Sequence, residues 1–310
     1  MKTEAILDQL ILVVLNISLW EGRKALKMGD LALNGIDVDK LPPGTLATLG
    51  SKRIISPDAV KTFSSLRRLA KQLCQQNGVR FGGKGYAIPR AKVAVLSREL
   101  NRIKGEFSVA KNDFLSVYEA ETEKWIDSNP PEWAPIIRAA VDSPQHIQKA
   151  ISFNFAVLDI KVPTDIEENG LDDEIDSLYG KLCYEVRVTA RRAFENNFVG
   201  KQEITHKKLR PIKSIREKLV GLSFLDPTIP EIIHIIDDTL SKLPEKGNIT
   251  GTDLNMVAGL LGRQLANMGR TVKLEQVDAE GNDDAADETD IVEVITIDDA
   301  GIVEPITWDF

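Results

Sequence analysis

Apolar and polar positions change period several times along the chain, and each change marks an element. Residues 10–20 begin as an unbroken apolar run and end in alternation, with Leu15, Ile17 and Leu19 facing one way and Asn16, Ser18 and Trp20 the other. That alternation predicts a strand over 11–20, closed by Gly22 and the Arg23-Lys24 pair. Residues 25–55 are punctuated by Gly29, Gly35, Pro42-Pro43-Gly44 and Gly50, so they read as an ordered loop or short helical turns. Ser56-Pro57-Asp58 is a helix start, with a capping hydroxyl, a proline in the first turn and an acid at the positive end of the dipole. Phe63, Leu66, Leu69/Ala70 and Leu73 line one face of that helix, which ends at Asn77-Gly78. Residues 79–88 form a glycine-rich strand or hairpin, and Pro89 opens the next helix.

The clearest element follows, because Val93, Leu96, Leu100, Ile103, Phe107, Ala110, Phe114 and Val117 repeat at spacings of 3, 4, 3, 4, 3, 4 and 3. This is a heptad stripe on a helix over 89–126, roughly 55 Å long. Such a stripe needs a partner. Leu171, Ile175, Leu178, Leu182 and Val186, on a helix over 172–198, make an antiparallel intramolecular pair the first expectation and homodimerisation the second. Asn129-Pro130-Pro131 breaks the long helix, and short helices follow over 132–142 and 143–151. Residues 153–162 then read as a strand closed by Pro163. Helical patterning resumes over 172–198, 202–222 interrupted at Pro211, 230–243 and 252–268. The expected fold is α+β, mostly α. A small three-stranded sheet packs on long amphipathic helices in residues 1–165, a helical region covers 166–274, and an acidic tail covers 275–310. Within the tail, 278–290 is a low-complexity linker and 291–297 alternates like a strand.

Composition supports a folded core. The chain has 310 residues, of which 43% are hydrophobic, 28% charged and only 6% aromatic, a balance that excludes wholesale disorder and suits helices better than a β-sandwich. Cys74 and Cys183 are too few for a disulfide framework and read as buried thiols in a reducing compartment. The apolar run at residues 10–15 is too short to span a bilayer and no small-residue cleavage site follows it, so a cytoplasmic protein is expected. Charge is unevenly placed. Of 47 acids, thirteen lie between Glu275 and the C-terminus, where there is no Lys or Arg, which leaves 34 acids against 39 bases over 1–274. A mildly basic body carries an acidic appendage.

Candidate chemistry is sparse. The glycine cluster Arg80-Phe-Gly-Gly-Lys-Gly-Tyr86 is not a phosphate-binding loop, because Lys84 is followed by Gly85 where a hydroxyl is needed, and it reads as a tight turn. His146, His206 and His234 show no metal-ligand spacing, and the acids of Asp172-Asp173-Glu174 suit a helix start. No catalytic, cofactor or metal residue is assigned, and a non-enzymatic protein is expected. Basic residues are the stronger signal for nucleic acid: Lys52, Arg53, Arg67, Arg68, Arg80, Lys84, Arg187, Arg191, Arg192, Lys207, Lys208 and Arg210 could contact phosphates, with Phe81 and Tyr86 as stacking rings. The alternative is a set of ordinary solvated helix faces. The ending Trp308-Asp309-Phe310 is similar to the C-terminal tails of single-stranded-DNA-binding proteins, which dock a terminal Phe on partners, and these three residues are the candidate partner contact.

Residues 10 to about 165 resemble a family of domains of unknown function from bacteriophages and integrative or conjugative elements. The resemblance rests on Ile17-Ser-Leu-Trp-Glu-Gly-Arg-Lys24, Leu49-Gly-Ser-Lys-Arg-Ile54, Gly78-Val-Arg-Phe81, Gly85-Tyr-Ala-Ile-Pro89, Phe114-Leu115 with Trp125, and Phe153-Asn-Phe155. Members often sit beside a MoxR-type AAA+ ATPase and a von Willebrand A-type protein, which implies an adaptor or substrate-delivery partner of such an assembly. Two alternatives stand beside it: a single-stranded nucleic-acid-binding protein with an autoinhibitory or partner-recruiting tail, and a structural homo-oligomer built through the long helix.

Overall fold

The computed structural model describes residues 2–32, 35–83, 85–162 and 170–270. Residues 1–268 form one compact unit. A short helix α1 (Lys2–Leu7) leads into β1 (Leu10–Ser18), followed by β2 (Arg23–Ala25), α2 (Met28–Ala32) and β3 (Ser51–Arg53). Next come α3 (Pro57–Asn77), the hairpin β4 (Val79–Phe81) and β5 (Gly85–Pro89), and the 38-residue helix α4 (Arg90–Asp127). After α5 (Ala134–Arg138), α6 (Pro144–Ala150) and β6 (Ser152–Leu158), the chain is helical: α7 (Leu171–Asn197), α8 (Arg210–Gly221), α9 (Ile229–Ser241) and α10 (Gly251–Gly259). A small ribbon of β7 (Glu203–Ile204) and β8 (Ile249–Thr250) is inserted among these helices.

The three segments read as strands share one antiparallel sheet, and the glycine-rich segment supplies two strands of it, so the order is β4-β5-β1-β6. This is the α+β, mostly helical class. Strand β1 is central, and its first half is apolar on both sides because a separate hydrophobic core lies on each face. Leu10, Val79, Phe81 and Ala87 face a core built by α7 to α10. Val13, Tyr86, Ile88 and Phe153 face the other, built by α3 and α4. Toward its end β1 is covered on the second face alone, which produces the alternation of half-buried Leu15 and Ile17 with exposed Asn16 and Ser18.

The partner of the heptad stripe differs from the expectation. Helix α4 packs on α3, with Phe63 5.2 Å from Phe107 and 5.6 Å from Phe114 between ring centroids, while α7 (the 172–198 helix) lies against β4 on the opposite face of the sheet. The hairpin joining α3 to α4 brings both to one face, a consequence of connectivity that periodicity does not encode. The stripe also shifts at its end: Val117 is 46% exposed and Tyr118 takes the buried position. Three further expectations are corrected. Residues 25–55 contain β3, which pairs with β2. Pro211 opens α8 after a 3-10 turn rather than interrupting a helix. The last helix loosens into π and 3-10 turns beyond Gly259. Residues 291–297, read as a strand, lie outside the described residues.

Ser56 caps α3 as its sequence indicates, accepting from the Asp58 amide. The helix stops at Gly78, whose backbone is extended; a Cβ there would lie 2.3 Å from the Ala87 carbonyl oxygen, so glycine permits the return strand to approach. Several basic side chains meet carbonyls at helix ends, where the dipole favours a cation. Lys111 Nζ donates to the carbonyls of Gln148 (2.5 Å) and Ile151 (2.7 Å), Lys92 Nζ to that of Glu217 (2.8 Å), and Arg187 to that of Met268 (2.8 Å). Lys218, buried on α8, donates to the Gln75 carbonyl (2.6 Å) in the last turn of α3 and pairs with Glu185 on α7. Cys74 and Cys183 are free and buried, and burial pushes the Cys74 thiol up to about 12. Among the described residues no helix is long and apolar enough to cross a membrane.

Lys218 joins three helices across the two cores, so Lys218→Met, which strands the Glu185 carboxylate, is expected to cost about 3 kcal/mol or more in urea denaturation. Replacing both partners, as Lys218→Met with Glu185→Leu, is expected to recover most of that loss.

Candidate anion-binding cleft

Two basic dipeptides, Arg23-Lys24 and Lys52-Arg53, are mirror images in sequence. Antiparallel pairing of β2 with β3 therefore sets Arg23 opposite Arg53 and Lys24 opposite Lys52. Alternation along each strand sends the arginines to one side of the ribbon and the lysines to the other. The lysines are neutralised. Lys24 Nζ lies 2.7 Å from Asp142 Oδ1, and Lys52 Nζ 2.5 Å from Asp30 Oδ1 in a largely buried pair. The arginines are not: neither guanidinium makes a hydrogen bond or ion pair to any described residue.

The ribbon is held firmly although its strands have three residues each. Gly22 adopts φ +64°, and a Cβ there would lie 2.5 Å from Ile55 Cγ2, so glycine is required by both backbone and space. The Ile54 amide donates to the Gly22 carbonyl (2.9 Å), and the Trp125 indole N–H, near the end of α4, donates to the Arg53 carbonyl (3.2 Å). Asp142 ties the other side, accepting from the Trp20 indole N–H (3.0 Å) as well as from Lys24. Burial alone pushes the Asp142 carboxyl up, but the Lys24 and Trp20 hydrogen bonds and the charges of Lys24 and His146 outweigh it, and the group sits below its ordinary value. Asp30 is likewise held low, first by its hydrogen bond from Lys52 and then by the Lys27 amide.

Between this ribbon and the first turns of α3 lies an open cleft of about 500 Å³. Leu19, Trp20 and Val60 give it an apolar floor, Arg23, Arg53, Lys61 and Ser64 a polar and cationic wall, and Glu21 and Asp58 two carboxylates. Trp20 is itself fixed, edge-on to Tyr118 at 5.7 Å and tilted to Phe114 at 6.1 Å. A rigid floor with unneutralised guanidiniums at its rim suits an anion that also carries an apolar or aromatic portion.

The basic residues singled out in the sequence fall into different settings. Arg53 lines the cleft, and Arg67 and exposed Arg68 continue from it along α3. Lys52 is occupied by Asp30 and Arg187 by the Met268 carbonyl, while Arg80 lies over the Tyr86 ring at 5.7 Å to the centroid. Arg191 and Arg192 are exposed on α7, Lys207 before α8 and Arg210 at its start, and Lys208 donates to Asn197 (2.8 Å) in a smaller hollow of about 170 Å³ with Lys201 and Thr205. Lys84, Trp308, Asp309 and Phe310 lie outside the described residues. The residues missed were Arg23, Lys61 and Trp20. The signal for Arg23 was the mirrored Arg-Lys and Lys-Arg pairs, each next to a glycine or one residue from it, which suits a ribbon that sets like beside like; Lys61 and Trp20 carried no comparable signal. Among the described residues no group of three His, Cys, Asp or Glu side chains is placed to hold a metal ion.

A family model described as "Protein of unknown function (DUF3150)" matches residues 7–265. The match takes in the ribbon, the sheet and the helices beyond it, well past the 10–165 range over which sequence motifs were read. No curated protein and no solved structure matches the chain.

Because the Asp142 carboxyl is lowered in the folded state, its stabilising contribution is present above the ordinary carboxylate range and is lost as pH falls through the lowered value. Asp142→Asn is expected to cost about 1–2 kcal/mol near neutral pH and to cost progressively less as the pH is lowered through the carboxylate range, checked by urea denaturation across that range.

Proposed function

This chain belongs to the DUF3150 family, and we propose that it binds single-stranded nucleic acid in the cleft between the β2–β3 ribbon and α3. The observation that carries the reading is the Arg23–Arg53 pair: two like charges held face to face on a clamped ribbon, at a cleft rim, without a counterion among the described residues. Cross-strand like charges destabilise a ribbon unless something is gained by them, and a phosphate between them turns repulsion into two charge-assisted hydrogen bonds. The outer face of α3 extends the track through Lys61 and Arg68. The apolar floor favours a strand whose bases are unpaired and can lie against it.

A second reading draws on a separate observation, the thirteen acids and absent bases of residues 275–310 ending in Trp308-Asp309-Phe310. Here the protein is an adaptor of a phage or mobile element that delivers substrate to a MoxR-type AAA+ ATPase or a von Willebrand A-type partner, and the acidic segment recruits that partner or restrains nucleic-acid binding.

Filter binding is expected to find affinity for a single-stranded oligonucleotide above that for its duplex, falling steeply with salt. Arg23→Gln with Arg53→Gln, and separately Arg67→Gln with Arg68→Gln, are each expected to weaken it by about ten-fold or more. Salt-insensitive binding, or none, sinks this reading. Deleting 275–310 is expected to raise nucleic-acid affinity under the first reading; abolished binding to a purified MoxR-type ATPase in calorimetry, with nucleic-acid affinity unchanged, selects the second.

A further inference from the structure

The cleft concentrates more positive charge at one point than a passing phosphodiester can use. Arg23 and Arg53 are direct cross-strand neighbours, so one phosphate group can lie against both. A phosphodiester carries one negative charge, whereas a phosphomonoester carries close to two at neutral pH and presents three acceptor oxygens. The monoester neutralises both guanidiniums and offers each a bidentate face. Glu21 and Asp58 sharpen the distinction. Both line the same cleft, so a backbone threaded along its length meets carboxylates as well as arginines, whereas a single terminal group needs only the space between the two arginines.

The surroundings fit the end of a strand. The floor of Leu19, Val60 and Trp20 gives the terminal nucleoside an apolar bed, and Ser64 adds a hydroxyl at the wall. Along α3, Arg68 lies seven residues beyond Lys61, which is about 10 Å of helix and places a cation where later phosphates of the same strand would run.

We infer that the cleft recognises a terminal phosphomonoester on a nucleic-acid strand, with Arg23 and Arg53 sharing the phosphate and the outer face of α3 receiving the strand that follows. This inference rests on the nucleic-acid reading and specifies which part of the polymer the site takes.

The test compares full-length protein binding to identical single-stranded oligonucleotides bearing a 5′-phosphate, a 3′-phosphate or hydroxyls at both ends, with a nucleoside monophosphate as competitor. One phosphorylated form is expected to bind about ten-fold or more tightly than the hydroxyl form. Arg23→Gln or Arg53→Gln is expected to bring that ratio close to one, whereas Arg68→Gln weakens all three forms alike and keeps the ratio. The preference is expected to shrink below about pH 6, as the monoester dianion takes up a proton and becomes a monoanion. Circular dichroism establishes that each variant is folded, and Arg23→Lys or Arg53→Lys, which keeps the charge on the ribbon but removes the bidentate fork, serves in place of a glutamine variant that is not. Equal binding of the three forms, or a ratio that survives the arginine substitutions, overturns the inference and leaves the nucleic-acid reading intact. Failure of every oligonucleotide to bind overturns that reading. In that event the inference falls with it, and monophosphate binding lost in Arg23→Gln shows that the arginines take a free nucleotide instead.

Discussion

The constraint on which the rest depends is the burial of β1 on both faces. In its first half Leu10, Ile11 and Val13 are buried, because one set of helices packs on Leu10 and another on Val13. A strand in that position has its backbone hydrogen bonds satisfied by β5 on one edge and β6 on the other. The two cores are therefore coupled through a shared sheet, and the Lys218 junction of α3, α7 and α8 couples them a second time from the side. The ribbon gains its rigidity from this frame. Trp20 follows directly from the β1 region, Trp125 belongs to the last turns of α4, and Asp142 lies between α5 and α6. All three reach the ribbon from elements fixed by the second core.

Counting basic residues overstates the field that the folded body presents. Lys111, Lys92, Arg187 and Lys218 meet helix-end carbonyls, and Lys24 and Lys52 answer Asp142 and Asp30. Those cations hold helices and strands in place and contribute little to attracting a polyanion. What distinguishes Arg23 and Arg53 is that the same ribbon that satisfies its lysines leaves its arginines unsatisfied. Arginine and lysine adjacent in sequence thus perform opposite tasks, because strand alternation sends them to opposite sides.

Much of the fold was legible in local pattern. The Ser56-Pro57 start, the stripe from Leu96 to Phe114 and the three strand segments correspond to real elements, since each is dictated by neighbours in sequence. The pairing of α3 with α4 was not, because Leu182 and Phe63 offer equally apolar surfaces and the choice between them is made by the hairpin that joins α3 to α4. Nor was the β2–β3 ribbon, whose three-residue strands carry no periodic signal and persist through tertiary contacts with Asp142, Asp30 and Trp125. Of the cleft, Arg53 was identified from its basic neighbourhood, while Arg23 read as the end of a strand and Lys61 carried no signal of its own. Charge along the chain does not report which cations lack a counterion in three dimensions.

Trp20 and Trp125 both abut the ribbon, one through the cleft floor and one through the Arg53 carbonyl, and Trp133 is the remaining tryptophan among the described residues. Of the four tryptophans in the chain, two thus lie against the site, and Trp133 and Trp308 are the others. Occupancy of the cleft has an optical signature without any added label: in a Trp308→Phe background, quenching or a spectral shift of the indoles that touch the cleft and its ribbon, with Trp133 as an internal reference.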